Sequence, residues 1–337
     1  MTVDSVSILI CTFNRASFLA ETLTSLADLH VPRECTVELA IVDNNSTDST
    51  RRVVAAAAAR SRFPIRYLFE PRQGKSFALN TGLAHATGDV LALTDDDVVP
   101  DPDWLTGIVD VFRNHDVTFA FGKVLPRWGC LPPPELLTRR AHDIWGPLAI
   151  VDYGDEVAIY SREAAGQRLP IGANLAFARA ALITVGGWRT DLGKVDNTLI
   201  SGEDHEVFFR LRRADLYRGL YDPRIVVRHH VPPSRLTRRY FRRWFYWHGR
   251  TLARMACEIY APIDLNRAPH IARVPRFLYR QALQQGCRWL RAVARRDGLD
   301  VLIEEMKAIE YLGFFTERWY PLQTSVPGAA AQGAQPW

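Results

Sequence analysis

Acidic side chains occupy the positions at which this sequence could carry out chemistry. Asp95, Asp96 and Asp97 directly follow the apolar run VLALT, and Asp43 directly follows the apolar run VELAIV. Adjacent carboxylates repel one another, and a divalent cation is the obvious group to offset that cost. Mg²⁺ and Mn²⁺ are usually bound by one or two carboxylates, with phosphate and water completing the shell. The triplet therefore predicts a metal–diphosphate site; a solvated acidic turn is the alternative.

A second acidic group lies in the segment SGEDHE, residues 201–206. Ser201, Glu203 and Asp204 are residue types that begin helices, and an apolar-periodic segment follows them. Two roles fit this position. The carboxylates could interact with the helix dipole, which typically stabilises a helix by a few tenths of a kcal/mol to about 1 kcal/mol. Alternatively, one of them could be a general base supported by the other.

Two adjacent histidines, His229 and His230, follow the run RIVVR, which predicts a strand. Successive side chains of a strand point to opposite faces, so at most one histidine can face the acidic site. That histidine would be a metal ligand or a phosphate contact. Two ordinary polar residues are the alternative interpretation.

The elements that must position these side chains alternate between strands and helices over the first hundred residues. Short apolar, β-branched runs predict strands at 6–11, 37–42, 65–69 and 90–94. Apolar spacing and capping residues predict helices at 17–29, 76–86 and 47–60, the last with Ser46 as N-cap. Strands joined by such helices pair in parallel, and ligands bind at their carboxyl ends. Asp43 and the aspartate triplet should therefore share one edge of a sheet.

Composition and motifs exclude several classes of protein. The chain has 337 residues, of which 47% are hydrophobic and 23% charged, as in a globular protein of one or two domains. No GxGxxG follows the first strand and no GxxxxGK[ST] occurs, which removes the main support for dinucleotide oxidoreductases and P-loop NTPases. The scattered cysteines form no CxxC pair, and neither a signal peptide nor a spanning segment is recognisable. We expect a cytoplasmic protein.

The net charge of +5 conceals an uneven distribution. Residues 224–296 contain 17 Arg, no Lys and two acidic residues, a net charge of +15, whereas residues 1–223 carry −6 and residues 297–337 carry −4. Arginine alternates with aromatic and aliphatic residues at 234–254 and 273–296. Three interpretations fit: helices that pack on the catalytic part with solvated arginines, a peripheral contact with an anionic membrane, or arginine forks for anionic ligands.

The order of these segments resembles the inverting family 2 glycosyltransferases with a GT-A fold. The resemblance spans about residues 5–235 and rests on SILICTFNR (7–15), VDNNSTD (42–48), GKSFALNTGLAHATGDVLALTDDDVV (74–99), IGANLAFAR (171–179), GGW (186–188), GEDHEVFFRL (202–211) and VVRHHVP (226–232). It implies an α/β protein with a Rossmann-like nucleotide-binding sheet flanked by helices. The implied catalytic domain is 1–233, with a nucleotide half at about 1–100 and an acceptor half at about 101–233. The charge distribution adds a basic helical extension at 234–325, and the low-complexity sequence of the C-terminus predicts a disordered tail at 326–337.

The resemblance also implies which residues bind the nucleotide. They lie in the loop after the first strand and at the ends of later strands: Thr12, Phe13, Asn14, Arg15, Asp43, Lys75, Asp95 and Asp96. Asp43 matches the acidic residue that reads the base, commonly uracil. The triplet matches the DxD motif, whose first aspartate approaches the ribose and whose last holds the metal. All three positions are aspartate here, so the division of roles between Asp96 and Asp97 stays open.

The remaining implied residues hold the metal, the base and the sugar. Mn²⁺ or Mg²⁺ would be bound by Asp97, Asp95 and His229. Asp204, with Glu203 beside it, matches the catalytic base. The segment near the acceptor and the donor sugar comprises Gly172, Ala173 and Asn174.

The implied activity is metal-dependent, inverting transfer of a sugar from a nucleotide-diphosphate sugar, UDP-linked, to a hydroxyl acceptor. The acceptor would belong to a cell-surface polysaccharide, glycolipid or other glycoconjugate, with a lipid-linked acceptor included, and the enzyme would lie at the inner face of the cell membrane. The alternative is a non-catalytic protein whose Arg-rich segment binds membrane or nucleic acid. Carboxylates at a ligand edge repel phosphate backbones, so we expect no nucleic-acid partner.

Overall fold

The first hundred residues form the alternating pattern that the sequence predicts. The computed structural model describes residues 3–163, 167–195, 198–256 and 267–322. Its first elements are β1 (Ser5–Thr12), α1 (Ala16–Leu26), β2 (Thr36–Asp43), α2 (Thr50–Ala58), β3 (Ile65–Phe69), α3 (Lys75–His85) and β4 (Val90–Asp95). Each begins and ends within three residues of its predicted bounds.

The predicted N-cap of α2 is wrong. Ser49, not Ser46, directly precedes the helix, and the side chain of Asp48 accepts a hydrogen bond from the backbone N–H of Thr50. The hydroxyl of Ser46 instead accepts from the backbone N–H of Asn14. Ser46 therefore joins two loops rather than starting a helix.

The second half of the sheet contains longer connections between its strands. Its elements are β5 (Val98–Pro100), α4 (Trp104–Asn114), β6 (Phe119–Trp128), β7 (Ala158–Tyr160), β8 (Asn174–Ala178), α5 (Arg179–Thr184), α6 (Glu203–Arg213) and β9 (Gly219–Val231). Short 3₁₀ turns between residues 134 and 148 bridge β6 and β7. As predicted, α6 begins in the acidic segment, at Glu203, and both histidines lie in a strand, β9.

The strands form one mixed sheet in the order β3–β2–β1–β4–β8–β6–β9–β5, with β7 also paired to β9. The first four strands are parallel, as predicted, whereas β8 runs antiparallel to both β4 and β6. The near-continuous burial of β1, β4 and β8 is typical of strands covered on both faces. In the register of the sheet, Asp43 pairs with Thr12 and Asp95 pairs with Cys11, so both aspartates end at the same edge.

The C-terminal segment folds onto the rest of the chain as helices. It consists of α7 (Arg238–Arg254), a hairpin of β10 (His270–Ile271) and β11 (Val274–Pro275), α8 (Arg276–Arg295) and α9 (Gly298–Trp319). The predicted tail at 326–337 lies outside the described residues. Within the described part of the chain, no helix has the length and apolar character needed to cross a membrane.

Glycines let α7 and α9 approach each other to backbone contact. A Cβ atom on Gly249 would overlap the carbonyl oxygen of Glu310, and one on Gly313 would overlap that of Tyr246. Two buried glutamates of α9 bind four arginines of α7: Arg238 and Arg242 pair with Glu305, and Arg250 and Arg254 pair with Glu317. The first arginine block is thus largely engaged inside the protein.

The close approach of these helices predicts the effect of a methyl group between them. Gly313→Ala should lower the free energy of unfolding by about 1–3 kcal/mol, the usual cost of overpacking. The matched control is Gly286→Ala in α8, where an added Cβ meets nothing within 4 Å. The control should match or exceed wild-type stability in urea denaturation, because alanine favours helix over glycine by about 1 kcal/mol. Equal stability of the two variants would refute this account of the α7–α9 contact.

Candidate active site

The loops after β1 and β2 form one hydrogen-bonded unit at the carboxyl edge of the sheet. Asn14 adopts a positive φ of 53°, donates its N–H to Ser46 and accepts from the N–H of Thr47. Asp48 accepts from the N–H of Ala16, the first residue of α1. These contacts fix the predicted nucleotide loop and leave Phe13 41% exposed.

Asp43 is buried beneath this loop with both carboxylate oxygens engaged. The backbone N–H of Ser46 donates to Oδ1 at 2.8 Å, and the hydroxyl of Tyr67 donates to Oδ2 at 2.7 Å. Burial and the Asp43 carboxylate raise the pKa of Tyr67 to about 12, so the phenol stays protonated and remains a donor. Tyr67 therefore orients the residue that the sequence assigns to base recognition.

The middle residue of the triplet faces β1 and α1. Thr12 Oγ1 donates to Asp96 at 2.7 Å, and the Arg15 guanidinium lies 3.1 Å from the same carboxylate. Burial, reinforced by the neighbouring Asp97 carboxylate, raises the pKa of Asp96 to about 6 despite the opposing effect of Arg15. Thr22 of α1 donates to the backbone carbonyl of Asp96 and fixes the turn itself.

The first residue of the triplet is paired with a lysine that also reaches the second acidic group. Lys75 Nζ lies 3.3 Å from Asp95 and 3.6 Å from Glu203. Burial opposes ionisation of Asp95, but the positive charges of Lys75 and Lys194 outweigh it and lower the pKa of Asp95 to about 2. Lys75, at the start of α3, therefore links the end of β4 to the start of α6.

The last residue of the triplet lies beside the buried histidine. His229 Nε2 is 3.5 Å from Asp97 Oδ1, and Asp97 Oδ2 is 2.6 Å from Arg15 and 3.9 Å from Arg235. Burial lowers the pKa of His229 to about 4, which keeps the imidazole neutral at pH 7. The neighbouring His230 packs on Phe18 instead, so only one histidine faces the acidic site, as predicted.

Asp97 and His229 are residue types that could bind a divalent cation whose coordination shell is completed by a bound diphosphate. Arg235 donates to His229 Nε2 at 3.1 Å, so the lone pair of that nitrogen is occupied, and Arg235 must move before His229 can bind a metal through it. Nδ1 of His229 is buried and has no hydrogen-bond partner among the described residues. The described residues contain no group of three or more metal-ligating side chains, and Asp95, the third predicted ligand, is paired with Lys75. Two protein ligands suit a metal bound mainly through a diphosphate rather than an all-protein cage.

Asp204, the second residue of α6, is held by hydrogen bonds to both of its carboxylate oxygens. The backbone N–H of Gly172 donates to Oδ2 at 2.9 Å, and the indole Nε1 of Trp188 donates to Oδ1 at 3.1 Å. Burial raises the pKa of Asp204, while Lys75 and these two donors oppose the increase. A small cavity is lined by Asp204, Asp95 and Lys75, so the predicted base and the first residue of the triplet face the same space.

The segment predicted to contact the sugar serves partly to build this arrangement. A Cβ atom on Gly172 would lie 2.6 Å from Asp204 Oδ2, so only glycine allows the contact. Asn174 is buried, donates both amide protons to the carbonyls of Lys123 and Ile225, and accepts from the indole of Trp104. The side chain of Asn174 thus joins β8 to β6 and β9, and the contact of this segment with the sugar stays a prediction.

Three residues of the site were not assigned a role from the sequence. Tyr67, Trp188 and Arg235 contact Asp43, Asp204 and the Asp97–His229 pair respectively. Trp188 belongs to the GGW segment, and Arg235 follows the histidine strand by four residues. Membership of the GGW segment is the one sequence signal that could have suggested Trp188; no such signal marks Tyr67 or Arg235.

Comparison with solved structures identifies the fold. The chain superposes with a TM-score of 0.59 on the mannosyltransferase PcManGT of Pyrobaculum calidifontis, determined in complex with GDP-Man and Mn²⁺. The superposition covers 94% of this chain and 87% of that structure at 19% sequence identity. The architecture is therefore that of a GT-A glycosyltransferase, as predicted: a large central sheet flanked by helices.

The chain belongs to glycosyl transferase family 2, and it is an enzyme of that class. The model of this family matches residues 7–168. The chain is 30% identical to the succinoglycan biosynthesis protein ExoM of Rhizobium meliloti (strain 1021), over 74% of this chain and 76% of the relative. It is 26% identical to the glucosyl-dolichyl phosphate glucuronosyltransferase of Haloferax volcanii, over 66% of this chain and 68% of the relative.

The hydrogen bond between Trp188 and Asp204 predicts a change in pH dependence. Trp188→Phe removes the indole donor and should raise the pKa of Asp204 further. Because a hydrogen bond to a charged acceptor contributes about 1.5–3 kcal/mol, the acid limb of kcat/KM should move up by about 1–2 pH units. The measurement is a pH–rate profile of donor turnover.

The matched control is Trp104→Phe, which removes an indole donor to the buried amide of Asn174 instead. That variant should lose stability without moving the acid limb. A Trp188→Phe enzyme with reduced turnover and an unshifted limb would contradict the role given to Trp188.

Proposed function

We propose that this glycosyltransferase is metal-dependent and inverting, and that it transfers a sugar from a UDP-linked donor to a hydroxyl acceptor. The observation that carries the proposal is the fixed carboxylate of Asp204, which faces the same small cavity as Asp95 and Lys75. Asp204 lies beside Asp95 at the carboxyl edge of the sheet, so we expect the acceptor to enter there. That edge is where ligands bind in folds of this type.

Donor binding would use the loop unit and the aspartate triplet. Asp43, oriented by Tyr67, would accept a hydrogen bond from the uracil, and Asp95 would lie toward the ribose. Asp97 and His229 would hold Mn²⁺ or Mg²⁺, which when bound neutralises charge on the departing diphosphate. Arg15 and Arg235 both lie within 4 Å of Asp97, and a guanidinium binds phosphate oxygens through two parallel hydrogen bonds. Both arginines can therefore contribute to holding the diphosphate.

The transfer step requires one base. Asp204 would accept the proton of the acceptor hydroxyl as its oxygen attacks the anomeric carbon and the nucleoside diphosphate departs. A single displacement inverts the anomeric centre and forms no covalent intermediate on the enzyme. Glu203 would support Asp204 through Lys75, which lies between Glu203 and Asp95 and stabilises negative charge at the cavity. Burial raises the pKa of Asp204, which makes it a stronger base once it is ionised.

The acceptor is proposed to be a growing glycan, carried on a lipid, for a polysaccharide or other glycoconjugate. One relative is named for succinoglycan biosynthesis and another for transfer to a glucosyl-dolichyl phosphate. We also retain as proposals the division into a catalytic part at 1–233 and an extension at 234–325, and a location at the inner face of the cell membrane.

The donor is tested by thermal unfolding with UDP-, GDP- and dTDP-sugars, each with Mn²⁺ or with EDTA. A ligand at 100 times its Kd stabilises a protein by about 2.7 kcal/mol, so the true donor should stand out. We expect a UDP-sugar with Mn²⁺ to give the largest shift and EDTA to remove most of it. A larger shift in the unfolding temperature with a GDP-sugar would overturn the UDP assignment. A shift that EDTA does not reduce would overturn metal dependence.

The roles of the two aspartates predict different defects. Asp204→Asn should lower transfer by about 10²–10⁴-fold, the usual contribution of a general base, and leave UDP binding unchanged. Asp97→Asn should weaken UDP binding in Mn²⁺ and have little effect in EDTA. Calorimetric titration with UDP and a nucleotide-release assay measure the two effects.

The control is Asp116→Asn, at an exposed carboxylate whose partner is Arg218. It should behave as wild type in both assays. Full transfer activity in Asp204→Asn would rule out Asp204 as the base.

A further inference from the structure

The two arginine blocks of the C-terminal segment have different surroundings. In α7, four arginines are paired with Glu305 and Glu317 of α9, so their charge is largely compensated. In α8, five arginines are exposed and form no salt bridge with a carboxylate of the described residues: Arg276, Arg280, Arg288, Arg291 and Arg295. The helix itself contains no acidic residue. The uncompensated part of the +15 segment is therefore concentrated on α8.

The outer face of α8 is also apolar. Its inner face buries Leu278, Gln285 and Ala292, which are spaced by seven residues. On the opposite face Leu283 is 72% exposed and Leu290 is 60% exposed, and these two are also seven residues apart. By helical spacing, Cys287 and Ala294 lie on the same stripe, with Arg276 at its N-terminal end. The other four exposed arginines of α8, Arg280, Arg288, Arg291 and Arg295, lie along one side of the stripe.

Aromatic side chains border the other side of this stripe. Tyr279 of α8 contacts Phe315 of α9 with ring centroids 5.1 Å apart, and Phe315 contacts Trp319 at 5.6 Å. Trp319 and the following Tyr320 are exposed. Tyrosine and tryptophan are enriched where an apolar phase meets water, because each has an apolar ring and a polar tip.

We propose that the outer face of α8 is a docking surface for an anionic lipid bilayer. Leu283 and Leu290 would insert at the boundary between headgroups and acyl chains, and Arg280, Arg291 and Arg295 would bind lipid phosphates. A helix with an apolar stripe flanked by arginines lies in the plane of a membrane interface in this way. The surface would bring the active site to acceptors carried on lipid, which is the part of the inference that rests on the proposed function.

Two other occupants fit the surface less well. A second copy of the chain would bring two arginine rows together, and like charges at an interface oppose association. A single-stranded nucleic acid is bound by exposed aromatic rings on which bases stack, whereas the centre of this stripe is aliphatic. An anionic bilayer offers phosphate groups to the arginines and an apolar phase to the aliphatic side chains.

The test is co-sedimentation of the full chain with vesicles of phosphatidylcholine, alone or with 30% phosphatidylglycerol, at low and high salt. Wild type should bind the anionic vesicles at least tenfold more tightly, and 0.5 M NaCl should remove most of the difference. Arg280→Gln/Arg291→Gln/Arg295→Gln should weaken binding by about 100-fold, since each arginine near an anionic surface contributes about fivefold. The corresponding lysine variant should retain binding.

The matched charge control is Arg33→Gln/Arg52→Gln/Arg60→Gln, which removes three exposed arginines from the nucleotide half. It should bind vesicles as wild type. The apolar stripe is tested by Leu283→Gln/Leu290→Gln, which should weaken binding, against Leu131→Gln/Ile183→Gln, two apolar residues exposed elsewhere, which should not. Hydrolysis of the donor in solution should be unchanged in every one of these variants, so a failure of the docking surface is distinguishable from a failure of the proposed activity.

Three results would overturn the proposal. The first is equal binding of wild type to neutral and anionic vesicles. The second is wild-type binding by the α8 arginine variant. The third is a wild-type chain that does not bind vesicles but binds one of the two other occupants. That outcome would be either a dimer that dissociates in Leu283→Gln/Leu290→Gln, or binding of a single-stranded oligonucleotide at 0.15 M salt.

Discussion

Five carboxylates lie together with Asp43 at one edge of the central sheet, and the mutual repulsion of these five is the constraint on which the rest of the structure depends. They are Asp95, Asp96, Asp97, Glu203 and Asp204. The chain supplies its own counter-charges, because Lys75 lies between Asp95 and Glu203 and Arg15 bridges the other two aspartates of the triplet. A metal–diphosphate complex arriving at Asp97 would therefore compete with an arginine that is already in place.

The C-terminal helices contribute to this edge through the loop that precedes α6. Thr251 of α7 accepts a hydrogen bond from the N–H of Ser201, and Arg254 donates to the carbonyl of Asp191. Gly202 has a φ of 88°, and a Cβ atom there would lie 2.7 Å from the sulfur of Met255. The start of the helix that presents Asp204 is thus packed against α7. The arginine–glutamate pairs that hold α7 to α9 accordingly support the proposed base.

The parallel half of the sheet and its acidic edge could be predicted because the signals are local. An apolar run ends at Asp43 and another at Asp95, and parallel strands bring such ends together. The antiparallel insertion of β8 could not be predicted, since the long irregular stretch before it carries no periodic pattern. Trp188 and Arg235 were missed for a related reason: their partners lie in other elements, and no local spacing encodes such a contact. For the basic segment the sequence shows only the total charge, because which arginines pair with glutamates of α9 depends on tertiary packing.

The central claim is that Asp204 activates an acceptor hydroxyl for a single displacement at this edge. Its most direct test is the anomeric configuration of the product formed by the wild-type enzyme from an α-linked UDP-sugar, read from the anomeric proton coupling by NMR. The account predicts a β-linked product. An α-linked product would require a second displacement or front-face attack, and would contradict the role of a lone base at Asp204.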